Sequence, residues 1–221
     1  MNKRTLRNFY GGGYFEDRIN DELRTEMEYQ EMGRLRKYIP KTGTVLDMGC
    51  GLGEFLSLFG SKWDKYGTEI SQYAVRKAKK RGVKFTIPNK ADNFDLVIFR
   101  GTIQHLDKPF SEIQKRIKQL KPGGFMVFLA TPNTGGLYYR IFQDLPFLDP
   151  KRNFFIPSDK MFIHILENLG LKVKKIYYPY KETPYAHPLK DFFFFALRLF
   201  GIANKKHAFP KNMMEVYAQK P

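Results

Sequence analysis

A short apolar run followed by three alternating glycines lies near the start of the chain, and it constrains the fold more than any other segment. Val45 and Leu46 form the kind of run that a parallel strand buries on both faces. Gly49, Gly51 and Gly53 follow. Glycines allow backbone angles that a Cβ atom would forbid, and they let a ligand approach the chain closely. Apolar residues at helical spacing come next. This order of strand, glycine turn and helix is typical of doubly wound α/β proteins that bind a nucleotide-like cofactor.

The acids around the turn distinguish between two classes of cofactor. A dinucleotide site has the spacing G-x-G-x-x-G, which places a pyrophosphate at the helix N-terminus. Here the pattern is D-x-G-x-G-x-G, and Asp47 and Glu54 would repel a pyrophosphate. They suit the ammonium group of an amino acid. Glu69 closes a second apolar run 22 residues after Asp47, where an acid can accept hydrogen bonds from both hydroxyls of a ribose. A ribose and an amino-acid ammonium together indicate S-adenosylmethionine.

The motifs along residues 40–132 resemble those of class I S-adenosylmethionine-dependent methyltransferases. The matching segments are 45–53, Glu69, 94–99, 104–106 and 120–124. The likeness is greatest to the small-molecule branch, which includes quinone-biosynthesis O-methyltransferases. It implies an α/β, Rossmann-like fold with a seven-stranded, mostly parallel sheet, helices on both faces and an antiparallel last strand. It also implies methyl transfer from S-adenosylmethionine, leaving S-adenosylhomocysteine, to a small-molecule acceptor that is a sugar, lipid-linked or quinone-like.

By this resemblance, the glycine turn and the neighbouring strand ends bind the cofactor. The residues that the resemblance assigns to this role are Asp47, Gly49, Cys50, Gly51, Gly53, Glu69, Ile70, Arg100 and Tyr14. Cys50 is expected to be a small residue that fits the turn and not a nucleophile. The residue that contacts adenine is not identified, since the segment 88–93 is shorter than in relatives and offers only Asn89 and Asp92.

His105 is the candidate catalytic residue. An imidazole titrates near neutral pH, so His105 can remove a hydroxyl proton as the methyl group transfers. The other interpretation is that it only orients the loop after the fourth predicted strand. Relatives that methylate nucleobase amino groups carry Asn/Asp-Pro-Pro-aromatic at the position of residues 100–103. The sequence there is Arg-Gly-Thr-Ile, which argues against such a reaction.

The chain is predicted to form a single domain with four parts. Residues 1–40 cover the cofactor, 41–132 form the cofactor-binding core, 133–157 form a lid-like insertion and 158–221 form the substrate side. Tyr10 or Tyr14 lines the pocket or else covers the edge of the core. The aromatic residues of 133–157 bind the acceptor or else form a satellite core.

Two further local predictions concern secondary structure. The alternation in residues 83–87 predicts a third strand. The segment 17–38 predicts a helix with an apolar stripe of Leu23, Met27, Leu35 and Tyr38.

The charge of the chain limits its partners. The formal net charge is +16, and residues 151–221 carry half of the excess. Such a field attracts polyanions, but the basic residues are dispersed, so nucleic acid is not the favoured partner. An ordinary lysine-rich surface explains the positive charge equally well. Four widely spaced histidines and one cysteine do not predict a metal site. One cysteine and no visible signal peptide indicate a cytoplasmic protein.

The segment 189–202 predicts a helix that is apolar almost all round and too short to span a bilayer. Basic residues flank it, so it is expected to contact a membrane surface, in a peripheral location, or to form a homodimer contact. The alternative is that it packs on its own sheet. Three alternative functions also remain open: an RNA methyltransferase, a protein methyltransferase, and a non-catalytic binding protein that keeps the fold.

Overall fold

A six-stranded sheet in the order β2-β1-β3-β4-β6-β5 forms the centre of the computed structural model, which describes residues 12–19, 21–146, 148–149 and 151–221. The strands are β1 (Gly43–Met48), β2 (Trp63–Thr68), β3 (Phe94–Arg100), β4 (Leu120–Pro132), β5 (Lys172–Tyr177) and β6 (Met213–Gln219). The first four are parallel, and β6 lies between β4 and β5, antiparallel to both. The predicted α/β fold with an antiparallel last strand is therefore confirmed.

Helices cover the two faces of this sheet. They are α1 (Gly12–Ile19), α2 (Glu22–Leu35), α3 (Glu54–Ser57), α4 (Gln72–Lys80), α5 (Pro109–Gln119), α6 (Leu137–Phe142), α7 (Asp159–Asn168) and α8 (Pro188–Leu199), with a 3₁₀ turn at Ile103–His105. The Ser71 side chain caps α4 by accepting a hydrogen bond from the Ala74 N–H at 3.4 Å. Serine at an N-cap satisfies one of the amide groups that the first helical turn leaves unpaired.

The predicted number of seven strands is wrong for the described residues, because residues 83–87 do not form a strand. Only Lys84 pairs with β2, as an isolated bridge to Tyr66. Pro88 has no N–H to donate to a ladder. Its carbonyl accepts a hydrogen bond from the Gln119 side chain at 3.0 Å, so the segment leaves the sheet edge and turns toward α5.

The apolar core lies on both sides of the sheet. Leu96 and Ile98 of β3 face one cluster, which contains Leu56 of α3, and Val97 and Phe99 face the other. Because successive strand residues point to opposite faces, a strand that is apolar throughout requires cover on both sides. This arrangement leaves the carboxyl ends of β1, β2 and β3 at one edge, where the next elements begin.

Candidate active site

The glycine turn after β1 joins the carboxyl ends of three strands. The Gly49 N–H donates to the carbonyl and the hydroxyl of Thr68, both at 3.0 Å. Gly49 has φ +78°, and a Cβ atom there would lie 2.7 Å from the Thr102 hydroxyl oxygen. A side chain at this position would therefore strain the backbone and displace the loop after β3. The turn lies at the topological switch point of the sheet, where β1 is flanked by β2 and β3.

Glu69 lies beside this turn and is oriented by backbone amides. Its Oε2 accepts a hydrogen bond from the Gly51 N–H at 3.0 Å, and its Oε1 accepts from Ile70 and Ser71 at 2.7 and 2.9 Å. Two carboxylate oxygens offer about four acceptor positions. One remains to accept a hydrogen bond from a ligand hydroxyl, as a ribose would provide, and the side chain is only half-buried.

Asp47 lies below the turn, where it is almost inaccessible to solvent. Its exposed fraction is 2%, and its Oδ1 has no hydrogen-bond partner in the part of the chain that the structure describes. Burial raises the pKa of this carboxyl group to about 7; Arg100 opposes that shift, and Glu28, Glu69 and Glu31 add to it. A buried carboxylate oxygen without a partner is costly. A cationic group that donates hydrogen bonds would satisfy it.

Two glutamates of α2 complete a carboxylate cluster, which we define as Glu28, Glu31 and Asp47. Arg100, at the end of β3, donates from Nε to Glu31 at 2.5 Å and lies 3.1 Å from Glu28. Burial raises the pKa of Glu28, and Arg100 opposes the shift. Arg100 thus pairs with both glutamates and opposes the rise in the Asp47 pKa. Arg24 lies 3.4 Å from Glu28 as a second cation. The predicted cofactor residue Arg100 is held by Glu28 and Glu31, and sequence reasoning did not find these two glutamates.

Helix α1 covers the glycine turn from the solvent side. Phe15 is buried against Leu52 and Ala74, and its ring lies 3.5 Å from the position that a Cβ of Gly51 would take. Tyr14 packs edge-to-face on Phe15, with ring centroids 5.0 Å apart. Phe15 thus lies directly against the turn, and Tyr14 packs beside it on the same cluster. Tyr10 lies outside the described residues.

His105 connects the loop after β3 to the insertion at 133–157. Its Nδ1 lies 2.9 Å from the Arg152 carbonyl oxygen, which can only accept. The Phe154 N–H donates to the Gln104 carbonyl at 2.8 Å. In the neutral ring the proton is therefore on Nδ1 and the lone pair is on Nε2. This tautomer suits a base, while the same bond also positions the insertion.

The structure also places Cys50, which the resemblance assigns to the cofactor turn, and Asp92, a candidate for the adenine contact. Cys50 is buried, and its sulfur occupies the space that a Cβ of Gly67 would enter, at 2.5 Å. Burial also raises the pKa of the Cys50 thiol, so the group is suited to packing and not to nucleophilic attack. Asp92 pairs with Lys220 at 2.8 Å near the start of β4. That is the opposite end of the sheet from the turn, so Asp92 does not contact the adenine.

The insertion at 133–157 contributes its aromatic residues to a satellite core. Tyr138 and Leu145 are buried with Phe209, and Phe195 of α8 packs against them. The Phe195 and Phe209 rings stack at 4.4 Å. This cluster joins α6 to α8, so the satellite-core interpretation describes these side chains.

The arrangement fits a ligand with a cationic amino-acid end and a ribose. In such a complex the Asp47 oxygen without a hydrogen-bond partner would accept from the cation, and the remaining acceptor position of Glu69 would accept from a ribose hydroxyl. These residues match the chemistry of S-adenosylmethionine.

Comparison with known proteins supports the same conclusion. The sequence pattern of a methyltransferase domain matches residues 20–176. The tRNA U34 carboxymethyltransferase of Desulfotalea psychrophila is 25% identical over 169 residues, which cover 69% of this chain and 52% of that protein. The malonyl-[acyl-carrier protein] O-methyltransferase of Priestia megaterium is 23% identical over 220 residues, covering 90% of this chain and 79% of that protein. The chain thus spans about half the length of the first of these relatives.

A solved structure has the same fold. A SAM-dependent methyltransferase from Archaeoglobus fulgidus aligns with a TM-score of 0.66 and 20% identity, covering 94% of this chain and 98% of that chain.

Proposed function

The chain belongs to the class I S-adenosylmethionine-dependent methyltransferases, and on this premise we propose that it methylates a hydroxyl group of a small-molecule acceptor. The observation that carries the choice of a hydroxyl is the geometry of His105. Its Nδ1–H is held by the Arg152 carbonyl, so its Nε2 is the nitrogen that can receive a proton. A hydroxyl acceptor must lose a proton when it gains a methyl group, and a fixed imidazole is suited to take it.

The residues of the glycine turn bind and align the cofactor in this proposal. Asp47 accepts hydrogen bonds from the ammonium group, and Glu69 accepts one from a ribose hydroxyl. The bound cofactor supplies an electrophilic methyl group on a positively charged sulfur. The protein contributes mainly alignment of the acceptor oxygen with that methyl group and exclusion of water by α1 and the insertion at 133–157.

The acceptor atom is proposed from one relative, and the acceptor class is proposed from the surface of the chain. The relative that covers 90% of this chain is named as an O-methyltransferase, although its named substrate is a malonyl group on an acyl-carrier protein. Exposed aromatic side chains near the insertion, such as Phe154 at 47%, suit an apolar or ring-bearing molecule. We therefore favour a quinone-like, lipid-linked or sugar acceptor over a macromolecule.

RNA methylation is the second candidate, and the observation that favours it is electrostatic. The net charge of +16 attracts a polyanion, and one relative acts on tRNA according to its name. RNA binding would fall steeply with salt concentration, because phosphate contacts release counterions.

A labelled-methyl screen distinguishes these candidates. The protein is incubated with S-adenosylmethionine carrying a tritiated methyl group and with lipid, small-molecule and RNA fractions of a cell extract. We expect label in the lipid or small-molecule fraction, and none with Asp47→Asn. Label that appears only in RNA would support the second candidate and overturn the first.

We expect His105→Asn to lower kcat by about a hundredfold or more, because general-base catalysis contributes roughly 10² to 10⁴. The pH–rate profile of the wild type should fall on the acid side, where the imidazole is protonated, and that limb should be lost in the variant. The control is His164→Asn, because His164 is exposed on α7, where its Nε2 lies 3.0 Å from the Asn168 side chain. A rise in KM with kcat and the pH profile unchanged would show that His105 only positions the insertion.

We expect Glu69→Ala to weaken binding of every adenosine-containing ligand, by about 10- to 100-fold, since a charged hydrogen-bond acceptor contributes roughly 1.5 to 3 kcal/mol. The informative pair of ligands is S-adenosylhomocysteine and methylthioadenosine, which lacks the amino-acid end. Glu69→Ala should weaken both, whereas Asp47→Asn should weaken only the first. Calorimetric titration of both variants gives the four values. Equal loss of both ligands in both variants would contradict the separate roles.

A further inference from the structure

Helix α8 and the residues that follow it present an apolar stripe to solvent. Leu189, Phe193 and Phe200 are spaced so that they share one helix face, and Ile202 extends that face beyond the helix. Their exposed fractions are 92%, 60%, 76% and 70% respectively. Monomeric proteins rarely leave so many large apolar side chains contiguous and exposed unless the surface binds something. We call these four residues the apolar stripe.

The opposite face of α8 is held firmly to the protein. Asp191 is buried and accepts from the Tyr180 hydroxyl at 3.0 Å. Arg198 donates to the Tyr138 hydroxyl at 2.6 Å and pairs with Asp144 at 3.2 Å. These polar anchors fix the helix rotation, so the apolar stripe cannot turn inward without leaving buried charges unpaired. Helix α8 therefore packs on the rest of the chain through one face, against Tyr138, Tyr180 and Phe209.

Cations border the apolar stripe. Lys190 and Lys205 are exposed, and the Lys205 ammonium lies 6.0 Å from the centre of the Phe194 ring. Lys206 pairs with Asp144 at 2.8 Å, on the side of Arg198, and does not belong to this margin. The acid on α8 itself, Asp191, is on the buried face. The stripe is therefore apolar along its centre and positive at its margin.

We propose that the apolar stripe and its lysine margin bind the surface of an anionic lipid membrane, with α8 lying in the plane of the interface. An apolar helix face of this kind inserts its side chains at the level of the headgroups, and basic residues beside it attract anionic lipid. None of the helices in the described ranges is both long and apolar enough to cross a membrane. A homodimer through this face would set identical lysine margins against one another, on a chain of net charge +16, so charge complementarity favours the lipid surface. This inference is independent of the methyl-transfer reaction.

Vesicle sedimentation tests the proposal with the whole chain. The vesicles contain phosphatidylcholine alone or phosphatidylcholine mixed with phosphatidylglycerol. We expect the wild type to sediment with the mixed vesicles and to be released by salt. Phe193→Asp/Phe200→Asp should lower the partition coefficient by at least about tenfold, since each buried apolar side chain contributes substantially. Lys190→Glu/Lys205→Glu should lower it by a similar factor for mixed vesicles only, because each lysine contributes about fivefold near an anionic surface.

The matched control is Tyr29→Asp, which places the same acid at an exposed aromatic residue (62%) of α2. It should bind vesicles as the wild type does. Because all substituted side chains are exposed, the variants are expected to fold, and their melting temperatures check this. No sedimentation of the wild type with either vesicle would overturn the proposal. So would a concentration-dependent dimer that Phe193→Asp/Phe200→Asp abolishes, since the stripe would then be the contact between two copies.

Discussion

Replacing Asp47 with asparagine is expected to weaken cofactor binding strongly and, at the same time, to stabilise the protein in the absence of cofactor. Both effects arise from the same buried oxygen, which has no partner among the described residues. A carboxylate there accepts charged hydrogen bonds from the ligand, and their loss should raise the Kd of S-adenosylhomocysteine by about 10- to 100-fold. Calorimetric titration at pH 8 measures this directly.

The stabilising effect follows from linkage between folding and proton binding. The folded protein raises the Asp47 pKa from 3.8 to about 7, so between those values the folded state binds the proton more tightly than the unfolded state. The stability of the wild type therefore falls as pH rises through this window, and the cost is complete above it. Asparagine avoids that cost. We expect Asp47→Asn to be more stable than wild type at pH 8 by on the order of 1 to 4 kcal/mol, and equal near pH 4.

The control for this pair of effects is Asp95→Asn. Asp95 lies near the start of β3, where its carboxylate accepts from the Thr44 N–H at 2.7 Å and from Lys121 at 2.8 Å. Its replacement should lower stability by about 1 kcal/mol and leave cofactor affinity unchanged. If Asp47→Asn behaved like this control, Asp47 would be a structural residue and the proposed ammonium contact would be wrong.

The second large effect is expected for Arg100→Met. Removing this guanidinium takes the ion-pair partner from buried Glu31 and leaves Glu28 with Arg24, 3.4 Å away. Breaking a buried ion pair in this way costs about 3 to 5 kcal/mol. Urea denaturation at pH 8 measures the loss. The loss should shrink as pH falls, because burial raises the pKa values of Glu28 and Asp47 and their protonation removes uncompensated charge.

A double-mutant cycle separates charge from packing at Arg100. Adding Glu31→Gln to Arg100→Met should recover much of the stability, because the unpaired charge is removed with its partner. Arg116→Met is the matched control: Arg116 is buried, but its partner Glu112 keeps 28% of its side chain in solvent, so the cost should be smaller. If Glu31→Gln failed to recover stability, the guanidinium would act through packing on the Phe55 ring, 5.4 Å away.

Sequence reasoning located the site better than it described the site's interior. The glycine turn and Glu69 are local motifs, which can be recognised from residues that lie close together in the sequence. The contributions of Glu28 and Glu31 could not be found in this way, because acids on a helix normally face solvent. Their burial depends on Arg100, which is distant in the chain. The expected stripe of α2 is only partly correct for the same reason: Leu35 is buried, but Leu23 is exposed and the buried face also contains the two glutamates.

The errors at the edge of the sheet have a similar cause. Alternation in residues 83–87 satisfied the strand pattern, yet strands form only where a ladder continues, and the contact of Pro88 with Gln119 ends it. The apolar segment at 189–202 was predicted as a helix, but which face would be buried depended on Asp191 and Arg198. Polar anchors on an apolar helix set its rotation, and their partners lie elsewhere in the chain.

The measurement that tests the account most directly is a thermal-shift titration of the wild type at pH 8. S-adenosylmethionine, S-adenosylhomocysteine and NAD are compared as ligands. If the glycine turn binds S-adenosylmethionine, both adenosyl ligands should raise the melting temperature. A ligand at 100 times its Kd stabilises the folded state by about 2.7 kcal/mol. NAD should have no effect, since Asp47 and Glu54 oppose its pyrophosphate. A shift with NAD and none with either adenosyl ligand would contradict the proposed site.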